Sequence, residues 1–599
     1  MAYTINANAK NVWIRDNEDT RDLSIQTDAS SVYLENGRTL EQELGEGSMV
    51  SNVTTVDSAM SKVIDGTLDG AYESCVLKGR TLVNVLGSCK FSLVKTEEGK
   101  SVTRFLPLNP LIKPNTKYLY VINVLKNTLT SSNNGSVMKY CETDSSKVSS
   151  STCWEWMNHI YPGFTGVKKH IMTTKPVFEG VCELSDRIEI YGATDVGGVI
   201  EFETFVVEYQ EGMENWDIPY FEGMCDVKMP ILHNVGKNLL TREYTLNSAT
   251  LVEETNEYVM TKGSGNIGGG LVFTPNLTPN KTYSFSVTAK TNRTADGAIR
   301  VYNDTRKEYI NVYLAGLTTQ TQKVGGVFTV PSTHQMGDEF KIWIGKNTDY
   351  DLETTFTIYK DWQLEESSSI TTHEDYKSNI LRTSEEIVLR EVGGVYDTYN
   401  VLTGEYTQRI GEGQFCGDGL TAYAENETYS GAYYLHSNST SDSPLLSPTM
   451  KNLTVTEWKS MSCEGIYKGS SGIGVVVNTS KLSQSNLTGL KAYFTQNPVT
   501  FQYQLAEPIT TIVKPSTIPF AYENGHIILE SGSEGQSLLP TLEYSTVVNR
   551  TGQVESVAKT IQTQEKQLTM LEQMLVQNII GLDYNNTVLA LNLEINEVM

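Results

Sequence analysis

The stretch Leu277-Thr278-Pro279-Asn280-Lys281-Thr282-Tyr283-Ser284-Phe285-Ser286-Val287-Thr288 decides the fold of this chain. A Pro-Asn turn leads into a segment in which aromatic and β-branched residues alternate with Ser and Thr, which is typical of a β-strand with one buried face. The same opening occurs in Leu111-Ile112-Lys113-Pro114-Asn115-Thr116-Lys117-Tyr118. The chain therefore contains an internal repeat of β structure.

The two copies also end alike. Phe205-Val206-Val207-Glu208 leads to Tyr220, and Asp361-Trp362-Gln363-Leu364-Glu365-Glu366 leads to Tyr376. Each copy spans about 140 to 165 residues, the size of a jelly-roll sandwich. We predict a mainly β protein with tandem β-sandwich (jelly-roll) domains: a first sandwich at 68–236, a second at 237–394 and a third β domain at 395–549. Because Trp362 and Trp216 occupy the repeated strand ends, we expect them to pack the sandwiches rather than to bind ligands.

Two further segments have heptad spacing, in which apolar residues recur at intervals of three and four. In the carboxyl-terminal segment 550–599 the members are Val554, Val557, Ile561, Gln564, Leu568, Leu571, Leu575 and Asn578. In the segment 48–67 they are Met49, Val53, Val56, Met60 and Val63. We predict a short N-terminal coiled-coil helix and a longer C-terminal coiled coil with a docking helix, which together join copies of the chain along one axis. A single amphipathic helix docked on its own domain is the alternative for the carboxyl-terminal segment.

Composition limits the partners. The 599 residues carry a formal net charge of −24, which argues against nucleic acid and anionic lipid surfaces because both need clusters of Lys and Arg. No apolar run approaches the roughly 18 residues that span a bilayer, so no membrane insertion is expected. Residues 1–6 lack the basic and apolar blocks of a secretory signal, and we expect a protein made in a cytosol.

Motifs for catalysis and cofactors are missing from the sequence. None of the seven histidines stands at metal-ligand spacing, and there is no H-E-x-x-H, G-x-S-x-G or P-loop motif. We therefore predict no enzyme and no cofactor. A pair of carboxylates that cleaves glycosidic bonds remains an alternative, since two acids facing each other across a sugar need no local motif.

Cysteines and acidic loops leave smaller alternatives. No pair of the eight cysteines has C-x-x-C spacing, and reduced thiols are expected in a cytosolic product. Cys141–Cys153 and Cys75–Cys89 bridges remain as alternatives. The loop Asp349-Tyr350-Asp351 is a candidate for structural Ca²⁺, without the spacing of an EF-hand.

Aromatic clusters are the candidates for ligand binding. A sugar ring is held by aromatic faces against its apolar side and by amides or carboxylates around its rim. Trp154, Trp156 and Tyr161 form one candidate carbohydrate-binding group, and Tyr429, Tyr433 and Tyr434 form another among small polar residues. Core packing is the alternative for the first group, and a subunit interface is an alternative for both.

The repeated strand openings, the ending 361–366 and the segment Val395–Gly411 resemble tail-tip and tail-fibre proteins of phages and phage-like particles that infect Gram-positive bacteria. The N-terminal stretch Val32–Glu41 is similar to their extended attachment arms, and we predict such an arm over 1–47. The resemblance implies carbohydrate-binding-module-like jelly rolls along an elongated trimeric fibre in the virion tail, assembled in the bacterial host cytoplasm.

It also implies three partners, namely further copies in a homotrimer, host cell-wall glycan, and other tail or baseplate proteins bound through the arm and the last helix. A baseplate or fibre connector without host binding, and a depolymerase of cell-wall polysaccharide, are the alternatives.

Overall fold

The structure is a computed structural model. It describes residues 11–16, 19–24 and 48–549, except for 87–89, 99–101, 108–111, 114, 131–135, 144–151, 157–159, 175–182, 191–195, 217, 264–268, 335–337, 348–352, 435–444, 470–471 and 533–537. The predicted carboxyl-terminal coiled coil, Val554 to Asn578, and the acidic loop Asp349–Asp351 lie outside the described residues. The same holds for the predicted arm, apart from its two described strands.

The chain is mainly β, as predicted. The first strands are β1 (Asn11–Asp16), β2 (Asp19–Ser24), β3 (Ser48–Val50), β4 (Thr54–Val56), β5 (Met60–Lys62), β6 (Thr67–Lys78) and β7 (Thr81–Val83). The next are β8 (Lys90–Val94), β9 (Val102–Pro107), β10 (Lys117–Asn127), β11 (Ser136–Thr143), β12 (Thr152–Trp156), β13 (Gly166–Thr173), β14 (Glu183–Ile190), β15 (Val199–Glu208), β16 (Met224–Lys228) and β17 (Pro230–Val235).

The middle of the chain forms β18 (Thr245–Asn247), β19 (Ala249–Glu254), β20 (Tyr258–Gly263), β21 (Gly270–Phe273), β22 (Thr282–Thr291), β23 (Ala295–Asn303), β24 (Glu308–Leu317), β25 (Gln322–Thr329), β26 (Phe340–Lys346), β27 (Thr355–Tyr359) and β28 (Gln363–Glu365). It continues with β29 (Ser378–Leu381), β30 (Val388–Leu389), β31 (Glu391–Val392), β32 (Val395–Tyr396), β33 (Thr398–Asn400) and β34 (Glu405–Phe415).

The last strands are β35 (Leu420–Glu425), β36 (Tyr429–Tyr434), β37 (Leu445–Leu446), β38 (Gly465–Gly469), β39 (Gly472–Asn478), β40 (Val499–Ile512), β41 (Phe520–Ala521), β42 (His526–Ser531) and β43 (Thr541–Asn549). The two described α-helices are α1 (Val455–Ser460) and α2 (Leu487–Gln496).

A central scaffold collects strands from distant parts of the chain. Its main sheet has the order β3-β43-β6-β33-β34-β40-β37, with β4 also on β43 and β41 on β6. A second sheet runs β29-β17-β42-β5, and a third runs β30-β16-β7. One hydrophobic core that includes Leu77, Leu232 and Leu542 joins these sheets, so the scaffold is one folding unit.

Three modules are inserted into this scaffold. The first sandwich (β8–β15) lies between β7 and β16, the second sandwich (β18–β28) lies between β17 and β29, and a third module (β35, β36, β38, β39, α1 and α2) lies between β34 and β40. The division predicted at 68, 237 and 395 therefore differs from the sheets. Strand β6 pairs with β43 and β33, not with a strand of the first sandwich.

The two sandwiches share one topology. The order β13-β10-β15-β8 matches β25-β22-β27-β20, and β12-β11-β14-β9 matches β24-β23-β26-β21. A buried asparagine closes each copy: Asn84 Oδ1 accepts from the backbone of Leu86 and Val206, and Asn238 Oδ1 accepts from Leu240 and Leu364. The repeat seen in the sequence is thus a repeat of the whole sandwich.

The predicted N-terminal helix is wrong. Residues 48–62 form β3, β4 and β5, whose partners are β43 and β42. Val56, Met60 and Val63 are buried in the scaffold, whereas Val53 is 63% exposed and Val50 is 51% exposed. Turns between short strands happen to reproduce heptad spacing here, and β-branched residues favour the extended backbone once partner strands are available.

Candidate functional site

One sheet of the second sandwich, β18-β21-β26-β23-β24, has an outer face with aromatic and charged residues. In β23, Ile299 and Val301 are buried in the core between the sheets, so Arg300 and Tyr302 are on the opposite face. In β26, Ile342 and Ile344 are in that core, which places Lys341 and Trp343 on the same outer face. Strict alternation of side chains along two adjacent strands builds this surface.

Three rings form an aromatic platform, which we define as Tyr302, Tyr309 and Trp343. The rings of Tyr302 and Trp343 stack at 5.3 Å between centroids with an interplanar angle of 20°. Tyr309, whose side chain is 56% exposed, meets the edge of Tyr302 at 4.9 Å. Exposed Val312 and Leu314 continue the apolar surface along β24. Aromatic rings and aliphatic side chains at a water-facing surface offer stacking area to a ligand.

A guanidinium lies beside the rings. Arg300 is the register partner of both Trp343 and Val312, and it is only 6% exposed. Its Nη2 donates to Oδ1 of Asn347 at 2.9 Å. Burial lowers the pKa of Arg300 from its usual value, but arginine remains charged at neutral pH. The platform therefore lies beside a charged side chain that is fixed by Asn347 and almost completely covered.

Polar contacts fix the turn between Tyr302 and Tyr309. Buried Asn303 contacts Nδ1 of His334 at 3.0 Å and donates to Asp338 at 2.8 Å. His334 Nε2 lies 2.7 Å from Glu308. Lys341 pairs with Asp304 at 2.8 Å. Lys341 and Lys307 together hold the pKa of Asp304 below its usual value. The turn is therefore held on both sides, and the two tyrosines are preorganised.

The predicted binding residues whose side chains are described lie in two places, the first sandwich and the third module. Tyr161, in the first sandwich, is 63% exposed, and Lys168 Nζ lies 5.6 Å from its ring centroid. Tyr429, Tyr433 and Tyr434 belong to β36 in the third module. Tyr433 packs edge-on against Trp458 at 4.8 Å and accepts from its indole N–H at 3.0 Å, while Tyr429 is half-buried. The side chain of Tyr434 is outside the described part of the chain.

Trp154 and Trp156 belong to β12, whose side chains are likewise not described. Strand β12 occupies, in the first sandwich, the place that β24 has in the second. The backbone register aligns Trp156 with Lys139 and, through it, with Arg187. The same register aligns Cys141 with Cys153, whereas Cys75 is a buried free thiol. The repeat thus relates the strand of the predicted tryptophans to a strand of the platform sheet.

The structural role predicted for Trp362 is confirmed. It is 1% exposed, belongs to the core of the second sandwich and donates its indole N–H to the carbonyl of Thr241 at 2.8 Å. Trp216 is half-buried against the scaffold core, and the Arg80 guanidinium lies 4.2 Å from its ring centroid.

Tyr302, Tyr309, Trp343 and Arg300 are not among the binding residues predicted from the sequence. The signal that could have found them is alternation: in Ile299-Arg300-Val301-Tyr302 and Ile342-Trp343-Ile344, the large polar or aromatic residue falls between two core residues. Among the described residues, no group of three His, Cys, Asp or Glu is arranged to hold a metal ion, and no helix is long and apolar enough to cross a membrane.

Comparisons with known proteins place carbohydrate-binding modules among the similar solved structures. No protein-family model and no curated protein matches the chain. The CBM22-1 xylan-binding domain of a Paenibacillus barcinonensis protein is 13% identical with a TM-score of 0.18, over 23% of this chain and 94% of that one. The N-terminal cellulose-binding domain of Cellulomonas fimi β-1,4-glucanase C is 17% identical with a TM-score of 0.16, over 23% of this chain and 90% of that one.

Proposed function

We propose that this chain is a tail-fibre or receptor-binding protein of a phage or phage-like particle and that it binds host cell-surface glycans through the aromatic platform. The observation that supports glycan binding is the stacked Tyr302–Trp343 pair on a water-facing sheet beside Arg300. The rings cover the apolar face of a pyranose.

The proposal includes self-association. A homotrimer joined by the carboxyl-terminal segment, and attached to the tail through the arm 1–47, presents three platforms to one cell surface. Linked sites raise the effective concentration of each other, so weak binding by one platform becomes firm adhesion. Native mass measurement tests this part, and a monodisperse monomer contradicts it.

Binding without cleavage is the activity that we propose. Three carboxylates around this turn are already engaged: Asp304 pairs with Lys341 and Lys307, Asp338 accepts from Arg306 at 2.8 Å, and Glu308 lies 2.7 Å from Nε2 of His334. A general acid for glycosidic cleavage needs a raised pKa, whereas that of Asp304 is lowered by its lysine partners. Release of reducing ends from purified Gram-positive cell walls contradicts this part of the proposal.

Calorimetric titration of purified wall glycan tests the platform itself. We expect Trp343→Ala and Tyr302→Ala each to weaken binding about tenfold or more, because each removes a stacking face. Tyr359→Ala is the matched control, since Tyr359 and Tyr258 form a ring pair at 6.1 Å on the other sheet of the same sandwich. No binding by the wild type, or equal losses in the control, contradicts the proposal.

A further inference from the structure

A large cleft adjoins the end of the platform. It lies between the second sandwich, the residues that follow the first sandwich and the central scaffold, and its volume is about 1400 Å³. Lys341 lines this cleft and is also the register partner of Tyr302 on the platform face. Trp343 is two residues farther along the same face, or about 7 Å. Platform and cleft therefore form one continuous surface.

The opposite wall of the cleft carries another aromatic ring. Trp216 lines the cleft, and its ring lies under the Arg80 guanidinium. Arg80 is 5% exposed and is fixed by Asp57 at 2.8 Å, while Lys169 donates to the carbonyl of Trp216 at 2.5 Å. A ring held in this way loses little conformational entropy when it binds a ligand.

The charge of its lining residues limits the class of ligand that the cleft can bind. Six acidic residues line it, namely Asp57, Glu211, Glu214, Asp338, Glu339 and Glu530, and Lys341 is the one lysine among the described lining residues. Asp338 pairs with Arg306 at 2.8 Å. Asp57 is neutralised by Arg80, and Glu214 accepts from the hydroxyl of Tyr209 at 2.8 Å. The remaining carboxylates leave a negative surface that repels anionic polymers. The exposed amides of Asn276 and Asn280 add donors and acceptors suited to hydroxyl groups.

We propose that the cleft extends the glycan site and that the protein takes an extended polysaccharide without anionic groups, running from Trp343 past Lys341 to Trp216. The inference rests on the proposed function and adds the class of ligand. It requires that affinity grow with chain length, because a short oligosaccharide on the platform does not reach Trp216.

The test uses the full chain and N-acetylglucosamine oligomers of two to eight units, with polygalacturonic acid as the anionic probe. We expect the affinity to rise about tenfold between short and long oligomers, through added stacking and hydrogen bonds. Trp216→Ala should abolish this rise and leave the affinity for short oligomers unchanged, and Trp216→Phe should restore most of it. Polygalacturonic acid should not bind.

A second variant guards against a folding defect in Trp216→Ala. Asn276 is exposed on the cleft wall, so Asn276→Trp blocks the cleft without touching the core. It should remove the length dependence and keep the binding of short oligomers. Wild-type binding that is independent of length, unaffected by both variants, or stronger for polygalacturonic acid overturns the inference alone. A wild type that binds purified wall glycan but none of the oligomers overturns the inference and leaves the proposed function standing, whereas a wild type that binds neither contradicts both.

Discussion

Asn238 shows how one side chain closes a sandwich. Its Nδ2 donates to the carbonyls of Trp362 and Glu374, both at 3.0 Å, and its Oδ1 accepts from the backbone of Leu240 and Leu364. The residue is 2% exposed, so water cannot replace these bonds. We expect Asn238→Ala to lower the free energy of unfolding by about 2–4 kcal/mol, because buried backbone groups lose their partners.

Hydrogen exchange along β22 measures this loss. Asn426 is a matched control, because it also makes four such bonds but is exposed to water. Asn426→Ala should cost less than about 1 kcal/mol. Equal protection of β22 from exchange in wild type and Asn238→Ala would mean that the four hydrogen bonds of Asn238 do not contribute to the stability of the sandwich.

Asp397 makes the stability of the scaffold depend on pH. Its side chain is fully buried, and burial raises its pKa to about 6 although three backbone N–H groups donate to it. Between about pH 4 and 6 the folded chain keeps a proton that the unfolded chain has released. The contribution of Asp397 to the free energy of unfolding therefore falls as the pH rises through this window.

The difference between wild type and Asp397→Asn isolates this contribution. We expect the difference in unfolding free energy to change by about 2–3 kcal/mol between pH 4 and 7, as two pKa units imply. Urea denaturation at both pH values measures it, with the exposed Asp418→Asn as control. A difference that stays constant with pH would refute the assignment.

At the residue scale, the sequence predicted the buried role of Trp362 because that residue recurs at a strand end of the repeat. It did not predict the platform, because Tyr302, Tyr309 and Trp343 come from three strands and meet only through register. The binding residues predicted from the sequence are tryptophans and tyrosines that stand close together along the chain. Ligand surfaces on sheets are instead assembled across strands, where sequence proximity gives no signal.

At the scale of elements, α1 is held on the third module by its tryptophan. Trp458 stacks on Tyr467 at 5.5 Å and covers Gly474 of β39, where a Cβ atom would come within 2.4 Å of Cη2. Thr454 and Glu457 form a capping box at the start of α1. This short helix therefore depends on its packing more than on its own backbone bonds.

We expect Gly474→Ala to displace the indole and to destabilise the third module by about 1–3 kcal/mol, as overpacking does. Tryptophan fluorescence and hydrogen exchange in β36 measure the effect. Gly70→Ala is the control, because it adds a methyl group to β6 with no heavy atom within 4 Å. Unchanged hydrogen exchange in β36 would show that the Trp458 indole moves aside without a loss of stability.

The wrong prediction of a helix at 48–63 also concerns the pairing of whole elements. The heptad spacing predicts one helix here, yet Val56 pairs with Leu542 and Met60 pairs with Ile528 in neighbouring strands. Both partners come from the far end of the chain. The spacing of apolar residues in one segment carries no information about a strand that is distant in the sequence. Pairing with β43 and β42 therefore determines the structure of this segment, although its spacing is that of a helix.

At the scale of the whole molecule, the modules differ in independence. Both sheets of the second sandwich are built from strands between 245 and 365, and the hydrogen bond from Asn238 to the carbonyl of Glu374 joins the two segments that flank those strands. We expect the fragment 237–376 to unfold cooperatively by itself. The fragment 68–236 should not form its scaffold strands, because β6 needs β33 and β43.

Dispersed amide resonances in two-dimensional NMR distinguish these outcomes. The fragment 84–222, which keeps β8–β15 and the bond from Asn84 to Phe221, is the control for the first sandwich. An unfolded 237–376, or a fully ordered 68–236, would contradict the nested arrangement. The sequence repeat predicted the two sandwiches, but the scaffold has no repeat and no local period to reveal it.

The closure of the main sheet by β43 also sets an order of events during translation. The backbone N–H of Thr546 donates to the side chain of Ser51, 495 positions earlier in the chain. Such distant pairing forms slowly, whereas each inserted module has all its strands as soon as its own stretch leaves the ribosome. A chain that stops before residue 541 lacks the strand that covers β3, β4 and β6. A closed scaffold therefore shows that synthesis has passed residue 549.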